Sequence, residues 1–457
     1  MARHPRTVPV APGRRALLGH TPALWRDTLA FLRSLPETGR IVRVDLGRLP
    51  VYFLTCPDLV HRILVTDAHE VDKGRIFQRI RPLLGNGLPN SEGEFHRRQR
   101  RLIQPVFHPA RIASYATVME RHARALADSW HAGQVVAVDQ AMNELALTTV
   151  VRTMFSRGLT ATTVEEIKRC LPVLTGGILV RAFTPSLLDA LPMSPNHRFD
   201  TAAKRLRAVI DALVTQYRRD PGGATRHDDL LSLLLNARDG STGEAMDDTQ
   251  IRDELTSFLF AGTASTGITL SWVFHELAHH PQAERRVRAE ADGVTRTRAA
   301  GYDDLPSLAY TDRVLQETCR LRGVLMIMRR TAGPVTLDGV RLPPGANLAF
   351  SPYSLHRDPR LFPQPGRFDP DRWLPGPGAP PRHAFIPFGA GIRKCIGDAF
   401  SWTEMSLTVA TIAARWRLVP APGHRVREVA AGLVRPDALP MVVTPWGEQG
   451  EECPGSQ

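Results

Sequence analysis

The feature that most constrains the fold is the longest helical pattern in the sequence, which runs from Asp247 to His280. Pro281 ends the run, as proline does when it follows a helical pattern. Between Leu255 and Leu270 the residues are apolar or small on nearly every face. A helix without a polar face is usually buried in the core of a large protein. Because no stretch reaches the 18 consecutive apolar residues typical of a membrane helix, we predict one long central helix inside a large fold.

The rest of the sequence predicts a mainly α-helical chain with small β-sheets. Two β-prone runs, Ile41–Leu46 and Val51–Thr55, are separated by Gly47 and Pro50 and predict a hairpin. Helical patterns cover three further segments: Pro109–Ser156, Asn196–Asn236 and Gly397–Arg415. The apolar segment Leu171–Pro195 is broken by glycine and proline, which favours a loop-rich lid or a helix-turn region. Short β-like runs recur in a Pro- and Gly-rich stretch, at Val335–Leu337 and Leu348–Ser351.

Composition and charge exclude several classes of protein. Hydrophobic residues make up 43% and charged residues 23%, which is ordinary for a soluble globular protein. The five cysteines are widely spaced and form no CxxC pair, so neither a disulfide framework nor a zinc ribbon is expected. The net charge is +12, and only four of the 58 basic residues are lysines. The arginines are spread along the whole chain, which disfavours nucleic-acid binding and suits an acidic protein partner.

The two ends of the sequence predict no anchor. The N-terminal stretch MARHPRTVPVAPGRR has no apolar signal core behind its charges, so we expect a cytoplasmic protein without a membrane anchor. Residues 1–16 are expected to form an irregular arm and residues 447–457 a frayed tail. A length of 457 residues is by itself compatible with about three domains.

The segment FIPFGAGIRKCIGDAF, residues 385–400, has the composition of a metal-thiolate site. Glycines such as Gly391 and Gly397 take positive φ freely and let backbone N–H groups turn toward a thiolate at Cys395. The helix that follows Cys395 would add its positive end. Phe388 can shield the site from water, and Arg393 can reach an anionic group beside the metal. These positions together predict a metal-bound thiolate rather than a buried structural cysteine.

This segment resembles the haem-ligand signature of the cytochrome P-450 family, Phe-x-x-Gly-x-Arg-x-Cys-x-Gly, and matches it at every fixed position. The resemblance extends over nearly the whole chain, from about Leu17 to Val443. It implies the P-450 fold, with the long central helix over a buried haem b and with Cys395 as the axial iron ligand. It also implies that residues 1–457 form a single domain around one cofactor, against the expectation from length.

Further motifs resemble the family's other haem-site elements. Glu317-x-x-Arg320, together with Arg372 of FDPDRW, resembles a buried Glu–Arg–Arg cluster that has a structural role behind the cysteine. The resemblance also implies cationic contacts to the two haem propionates, because buried carboxylates need charge-assisted donors. It places four residues in this role: His96, Arg100, Arg329 and Arg393.

The predicted central helix contains FLFAGTASTG, in which Ala261 and Gly262 resemble the family's small pair beside the oxygen site. The sequence departs from the family here, since Ala264 stands where an acid is usual and Ser265 stands where threonine is usual. Two hypotheses follow. Ser265, with Thr266 and ordered water, carries proton delivery, or the proton supply is altered and the enzyme is slow, uncoupled or does less usual chemistry. A neutral packing change at these positions stays open as a third explanation.

A second metal-binding motif lies at the end of the same helix. His275-Glu276-x-x-His279 is an H-E-x-x-H sequence, which in zinc hydrolases places two imidazoles on one helix face. No third histidine follows in the spacing of the larger zinc families, and Pro281 ends the helix two residues later. A zinc hydrolase is therefore kept only as an alternative.

The resemblance implies a bacterial haem-thiolate monooxygenase that inserts one atom of O₂ into a C–H bond of a hydrophobic small molecule. Several segments, among them DKGRIF and LLGNGL, resemble bacterial members that oxidise cyclic terpenes, so a sesquiterpene or diterpene is expected. The family's substrate-contact regions fall on apolar residues: Ile76, Phe77, Phe260, Ala261, Leu325, Ile327 and Leu433.

The sequence contains no flavin or nicotinamide module, so electrons are expected from an acidic ferredoxin and its NAD(P)H reductase. The residues of this chain that are expected to contact the ferredoxin are Arg97, Arg98, Arg101 and Lys394. The protein itself is expected to be a monomer. Two alternatives stay open: a haem-thiolate isomerase or peroxygenase that needs no external electrons, and a haem-binding protein without catalysis.

Overall fold

A computed structural model describes residues 7–183, 194–219, 229–295, 298–376, 378–381 and 383–447. Its helices are α1 (Thr21–Arg26), α2 (Thr28–Thr38), α3 (Pro57–His61), α4 (Arg75–Leu84), α5 (Gly93–Ile103), α6 (Pro109–Asp128), α7 (Val138–Met154), α8 (Ala161–Phe183), α9 (Ser194–Arg219), α10 (Leu230–Asn236), α11 (Asp248–His279), α12 (Pro281–Thr295), α13 (Ala309–Arg322), α14 (Pro352–Leu355) and α15 (Asp398–Arg415). Its strands are β1 (Ile41–Leu46), β2 (Leu49–Leu54), β3 (Val71–Asp72), β4 (Val135–Ala137), β5 (Ile327–Thr331), β6 (Val335–Leu337), β7 (Val340–Leu342), β8 (Asn347–Phe350), β9 (Trp416–Pro420), β10 (Glu428–Ala431), β11 (Leu433–Pro436) and β12 (Pro440–Pro445). The predicted mainly α fold with small sheets is confirmed.

The predicted N-terminal hairpin is also confirmed. Strands β1 and β2 pair antiparallel, with Ile41 opposite Leu54 and Leu46 opposite Leu49. They continue into a five-stranded sheet of order β1-β2-β8-β5-β3, in which β2 and β8 run parallel. A three-stranded sheet has the order β4-β12-β9, and two hairpins are formed by β6-β7 and β10-β11. The sheets therefore lie beside the helical part as small supporting units.

In two segments the structure adds detail that the sequence did not predict. The block from Pro109 to Ser156 is not one helix, because β4 separates α6 from α7 and pairs with β12. Helix α8 continues through Pro172 into the segment predicted to be a loop-rich lid or a helix-turn region, and so favours the second alternative over residues 171–183. The apolar residues there explain the difference, since Leu171 and Leu174 are buried in the largest hydrophobic cluster and packing outweighs the cost of an internal proline. Residues 184–193 of the predicted lid lie outside the described residues.

The N-terminal arm is more regular than predicted over residues 7–16. Arg43 donates its backbone N–H to Pro9 and accepts the N–H of Ala11, at 2.8 and 3.0 Å, so the arm is fixed along β1. Residues 1–6 and 448–457, which include most of the predicted frayed tail, lie outside the described residues.

Helix α11 is the predicted central helix and occupies the middle of the helical part. It begins after Asp247, whose side chain accepts the N–H of Gln250, and it packs along α7. Close approach of the two helices requires Gly262, because a Cβ there would lie 2.8 Å from a methyl group of Val150. By length and composition α11 could also cross a membrane, and 56% of its most apolar window is buried inside the protein. Its apolar faces are thus used for packing against other helices.

Candidate active site

A cavity of about 380 Å³ lies between the middle of α11, the end of α7, the start of α15 and the loop that precedes α15. The residues that line this cavity are mostly apolar. The lining residues predicted from the sequence are Ala261, Gly262, Ser265, Thr266, Ile327, Arg329, Phe388, Arg393, Cys395, Gly397 and Leu433. The lining residues that the sequence did not indicate include Leu64, Phe107, Val150, Thr153, Met154, Leu230, Phe258, Thr269, Cys319, Gly323, Val324, Phe400, Ser401 and Met405.

The loop before α15 is folded so that Cys395 faces this cavity. The backbone N–H of Cys395 donates to the carbonyl of Phe388 at 2.9 Å, and the N–H of Lys394 donates to the carbonyl of Gly391 at 3.0 Å. Gly391 has φ +69°, and a Cβ at this position would lie 1.9 Å from the carbonyl oxygen of Leu64. Only glycine fits such a contact, so the loop and the turn at Leu64 fix each other's position.

Two cysteines line the cavity, and their surroundings differ. Burial raises the pKa of the Cys395 thiol, but the backbone N–H of Gly397 and the cations Arg100 and Lys394 act against this rise. Burial raises the pKa of the Cys319 thiol to about 12, and nothing around it favours the thiolate. Donors and positive charge around the sulfur are what a metal thiolate requires. The environment therefore favours Cys395 over Cys319 as a metal ligand.

The cavity face of α11 follows helical spacing. Phe258, Ala261, Ser265 and Thr269 lie three or four residues apart and line the cavity together. Phe260, which was expected to contact substrate, lies about 100° round the helix from Ala261. Its side chain packs against the largest core cluster.

Comparison with known proteins identifies the family. The family model described as "Cytochrome P450" matches residues 12–442. The chain belongs to the cytochrome P450 family. A relative described as cyclooctat-9-en-7-ol 5-monooxygenase, from Streptomyces melanosporofaciens, is 44% identical, with 96% of each chain covered. Pentalenene oxygenase from Streptomyces avermitilis is 38% identical, with 95% of this chain and 96% of the relative covered.

A second relative from Streptomyces melanosporofaciens, cyclooctatin synthase, is 43% identical, with 92% of this chain and 91% of the relative covered. A solved structure, the crystal structure of the cytochrome P450DA haem domain, is similar with a TM-score of 0.86 at 24% sequence identity, covering 97% of this chain and 98% of that one. The likeness confirms the predicted P450 fold. The protein is thus a P450-type oxidoreductase, and its family implies haem-thiolate iron.

The cavity has the chemistry that a haem requires. Arg329 and Arg393 line it from β5 and from the cysteine loop. Burial, with the charge of Arg393, lowers the pKa of Arg329 to about 10. Both Nε and Nη1 of Arg393 are buried without a hydrogen-bond partner among the described residues, while its Nη2 donates to Glu92. A buried guanidinium group with unpaired N–H donors suits an anionic ligand, such as the propionates of a haem.

Lys73 adds a third buried cation that the sequence did not indicate. Its Nζ donates to the carbonyls of Leu88 and Ser91, each at 2.8 Å. Burial lowers the pKa of Lys73 to about 7; the charge of Glu92 acts against this, and those of Arg393 and Arg329 add to it. The edge of the cavity near Arg393 therefore carries three basic side chains, of which Lys73 is only partly charged near pH 7.

His96 and Arg100 do not line the cavity. The imidazole of His96 is buried, with Nδ1 3.1 Å from the hydroxyl of Ser91 and Nε2 3.5 Å from the carbonyl of Ile392. Burial, followed by the charge of Lys73, lowers the pKa of His96 to about 4, so the ring is neutral. Arg100 donates to the carbonyl of Lys394 at 2.8 Å. Both side chains therefore contact the cysteine loop and do not line the cavity.

The structure brings Glu317, Arg320 and Arg372 together. Arg320 and Glu317 are fully buried and form two hydrogen bonds of 2.8 Å. Arg320 also donates to the carbonyls of His356, Pro365 and Arg367.

Arg372 reaches Glu317 at 3.4 Å, and its Nη1 donates to the carbonyl of Pro363. A buried pair that also binds backbone carbonyls fixes the segment 356–373 against α13, behind the cysteine loop.

The hydroxyl groups on α11 are already paired. Ser265 donates to the carbonyl of Ala261 at 2.7 Å, and Thr269 donates to the carbonyl of Ser265 at 2.9 Å. Thr266 is buried, and its hydroxyl lies 2.9 Å from that of Ser401 on α15. The helix is continuous through these residues. Ser265 and Thr266 therefore reach the cavity with their hydroxyl groups held by the protein.

Three other predicted substrate contacts lie off the cavity. Ile76 and Phe77 belong to α4, which packs on α8, and neither lines the cavity. Leu325 is buried in the cluster that holds Trp272, while its neighbour Val324 lines the cavity. Leu325 was assigned from the family's contact regions; it precedes β5, which begins at Ile327, so strand alternation does not fix the direction of its side chain.

The predicted electron-partner contacts are all close to acids. Arg97 pairs with Glu94, and Lys394 lies 2.5 Å from Asp398. Arg98 and Arg101 lie 3.5 and 3.6 Å from the same carboxylate, Asp239. The positive charge of this surface is therefore smaller than the sequence suggested.

The H-E-x-x-H motif is not a zinc site in the structure. Glu276 accepts two hydrogen bonds of 3.0 and 2.9 Å from Arg322, so its carboxylate is engaged. His275 lies edge-on to Trp272, and burial lowers its pKa to about 3. Within the described ranges no group of three or more His, Cys, Asp or Glu side chains could hold a metal ion. The zinc hydrolase alternative is thus not supported.

Proposed function

We propose that this P450 hydroxylates a cyclic terpene, a sesquiterpene or a diterpene, within one domain that spans residues 1–457. The observation that supports the substrate class is that the hydroxyl groups lining the cavity from α7 and α11 are already hydrogen-bonded within the protein. Thr153, Ser265 and Thr269 each donate to a backbone carbonyl of their own helix. A ligand in this part of the cavity meets carbon surface and satisfied hydroxyl groups, so it is held by shape.

The relatives point to the same substrate class. Three relatives of 38–44% identity are described as cyclooctat-9-en-7-ol 5-monooxygenase, cyclooctatin synthase and pentalenene oxygenase, and each match covers more than nine tenths of this chain. A cyclic hydrocarbon skeleton satisfies the apolar lining, and the few polar groups of such a substrate need no charged partner.

Several residues in and beside the cavity have a role in this proposal. Cys395 is the thiolate ligand of haem b, with Arg329 and Arg393 on its propionates and His96 and Arg100 holding the cysteine loop. When bound, the haem supplies the activation of O₂ and its insertion into a C–H bond.

The apolar walls exclude water and orient the substrate. Val150 of α7 and Phe258 of α11 belong to these walls. Ser265, with Thr266, holds a proton near the middle of α11, where Ala264 leaves no carboxylate.

The substrate class is tested by ligand difference spectra of the ferric holoenzyme. We expect cyclic sesquiterpenes or diterpenes to shift the haem toward high spin, because an apolar ligand displaces water from the cavity. A panel with a macrolide, a steroid and a fatty acid provides the comparison. A shift with one of these three and none with any terpene would contradict the proposed substrate class.

The role of Ser265 is tested by Ser265→Ala. We expect a turnover rate about 100-fold lower, the lower end of what positioned proton transfer contributes, and less product for each reductant consumed. Thr269→Val is the matched control, because Thr269 also lines the cavity and donates to the carbonyl four residues earlier. Unchanged rate and coupling in Ser265→Ala would overturn the role of this hydroxyl.

The electron partner is proposed to be an acidic ferredoxin, supplied by an NAD(P)H reductase and attracted by the net charge of +12. We expect the rate of haem reduction by ferredoxin to fall steeply as salt rises from about 50 to 200 mM, because salt screens long-range attraction. The measurement is stopped-flow reduction at several ionic strengths. A rate independent of salt would count against electrostatic docking, and product formation without any electron donor would favour the isomerase alternative.

A further inference from the structure

The N-terminal arm contains a tight hairpin whose tip presents two leucines to solvent. Arg15 and Gly19 exchange two backbone hydrogen bonds of 2.8 and 2.9 Å, so residues 16–18 form the tip. Leu17 is 76% exposed and Leu18 is 56% exposed. Leu17 also has φ +63°, a left-handed conformation that residues with a Cβ rarely adopt. Neither burial nor backbone preference accounts for leucines in this position.

The tip is held firmly on the body of the protein. The carbonyl of Leu18 accepts the N–H groups of Thr21 and Gly47, each at 3.2 Å. The adjacent His20 is buried and bridges two segments, with Nδ1 accepting the N–H of Asp45 at 2.9 Å and Nε2 lying 2.8 Å from the carbonyl of Ala11. The leucines are therefore exposed by a fixed structure and not by a frayed end.

A tryptophan follows close behind the tip. Helix α1 starts at Thr21, two residues after the hairpin, and contains Trp25. Trp25 is 83% exposed, more than any other large hydrophobic side chain in the described ranges. Trp25 is four residues after Thr21, which is about 6 Å along the helix axis. We call Leu17, Leu18 and Trp25 together the N-terminal apolar patch.

Three exposed arginines lie next to the N-terminal apolar patch, two of them close in sequence and the third through a backbone hydrogen bond. Arg15, Arg26 and Arg48 are exposed, and none of them lies within ion-pair distance of a carboxylate in the part of the chain that the structure describes. Arg48 follows Gly47, whose N–H is bonded to Leu18. The neighbouring exposed acid is Asp27, and its carboxylate accepts the N–H of Ala30. The rim of the patch is thus positively charged.

We propose that the N-terminal apolar patch is a peripheral docking surface for an anionic lipid bilayer. Leucines at a rigid tip can enter the boundary between headgroups and acyl chains, and an exposed indole is suited to the interface itself. The free guanidinium groups would lie at the level of the lipid phosphates.

Charge complementarity favours the bilayer over a second copy of the chain. A symmetric dimer through this patch would bring the same arginines together across its two-fold axis, which is repulsive. Docking of this kind needs no membrane span, and it does not depend on the proposed substrate. It would place the enzyme where hydrophobic molecules accumulate.

The test is flotation of the full-length holoenzyme with vesicles of neutral phosphatidylcholine or of phosphatidylcholine with about 30% phosphatidylglycerol. We expect binding to the anionic vesicles that weakens with salt, and at least about tenfold weaker binding for L17S/L18S. L374S is the matched control, because Leu374 is 47% exposed outside the patch. Unchanged haem absorbance of each variant checks that it is folded.

Quenching by lipids brominated along the acyl chain gives a second readout. We expect quenching of tryptophan emission in the wild type and its loss in Trp25→Phe. The proposal is overturned if the wild type fails to float with anionic vesicles, or if L17S/L18S and L374S bind alike. It is also overturned if sedimentation shows a dimer that L17S/L18S dissociates.

Discussion

Cys395→Ser is expected to abolish monooxygenation and to remove the thiolate signature from the spectrum of the reduced, carbon-monoxide-bound enzyme. Loss of a residue that merely supports a metal ligand costs about 10–100-fold, so loss of the ligand itself should exceed about 100-fold. Serine keeps the size of the side chain but cannot provide a thiolate. The measurements are product formation with the electron-transfer partners and the absorbance spectrum of the purified protein.

Cys319→Ser is the matched control for this experiment. Cys319 also lines the cavity, but burial raises the pKa of its thiol to about 12, and it lies on α13 away from the cysteine loop. We expect the Cys319 variant to keep the thiolate spectrum and most of the activity. If Cys395→Ser kept the spectrum, or if Cys319→Ser lost it, the assignment of the ligand would be wrong.

The parts of the site that could be predicted are those whose functional residues are close together in the sequence. Gly391, Arg393 and Cys395 are close in sequence, and their residue types follow from the needs of a thiolate ligand. Ala261 and Ser265 of α11 were assigned from the family resemblance of the segment FLFAGTASTG, and their spacing of four residues places both on one helix face.

Residues brought together only by packing could not be predicted. Val150 and Met154 line the cavity because α7 lies along α11, and nothing in their local sequence indicates this contact. Lys73 is buried by the turns at Leu88 and Ser91, which lie 15 and 18 residues further along the chain. Side-chain direction on a helix also had to come from the structure, which turns Phe260 toward the core.

Replacing Glu404 with glutamine is expected to make the protein more stable at pH 8. Glu404 lies on α15 and is fully buried, and neither of its carboxyl oxygens has a hydrogen-bond partner among the described residues. Burial raises the pKa of Glu404 from its ordinary value of 4.5 to about 8, and only Thr149 acts against the rise. The carboxyl is therefore protonated in the folded protein at neutral pH.

The sign of the pH dependence follows from proton binding. Below pH 4.5 the folded and unfolded states both hold the proton, so Glu404 costs no stability there. Between pH 4.5 and about 8 only the folded state holds it, so the free energy of unfolding falls by up to about 1.4 kcal/mol for each pH unit. Above pH 8 the loss is complete, at most about 5 kcal/mol. Glutamine does not titrate, so Glu404→Gln should lack this loss.

The difference in unfolding free energy or midpoint between Glu404→Gln and the wild type should be measured from pH 5 to pH 8, because groups common to both proteins then cancel. Glu94→Gln is the control, since Glu94 is exposed and Arg97 holds the pKa of its carboxyl below the usual value. Its difference from the wild type should stay constant over this range. If Glu404→Gln and the wild type lost stability in parallel, Glu404 would have to be ionised in the folded protein. The space around α15 would then have to admit water or a cation, since a carboxylate cannot stay buried without either.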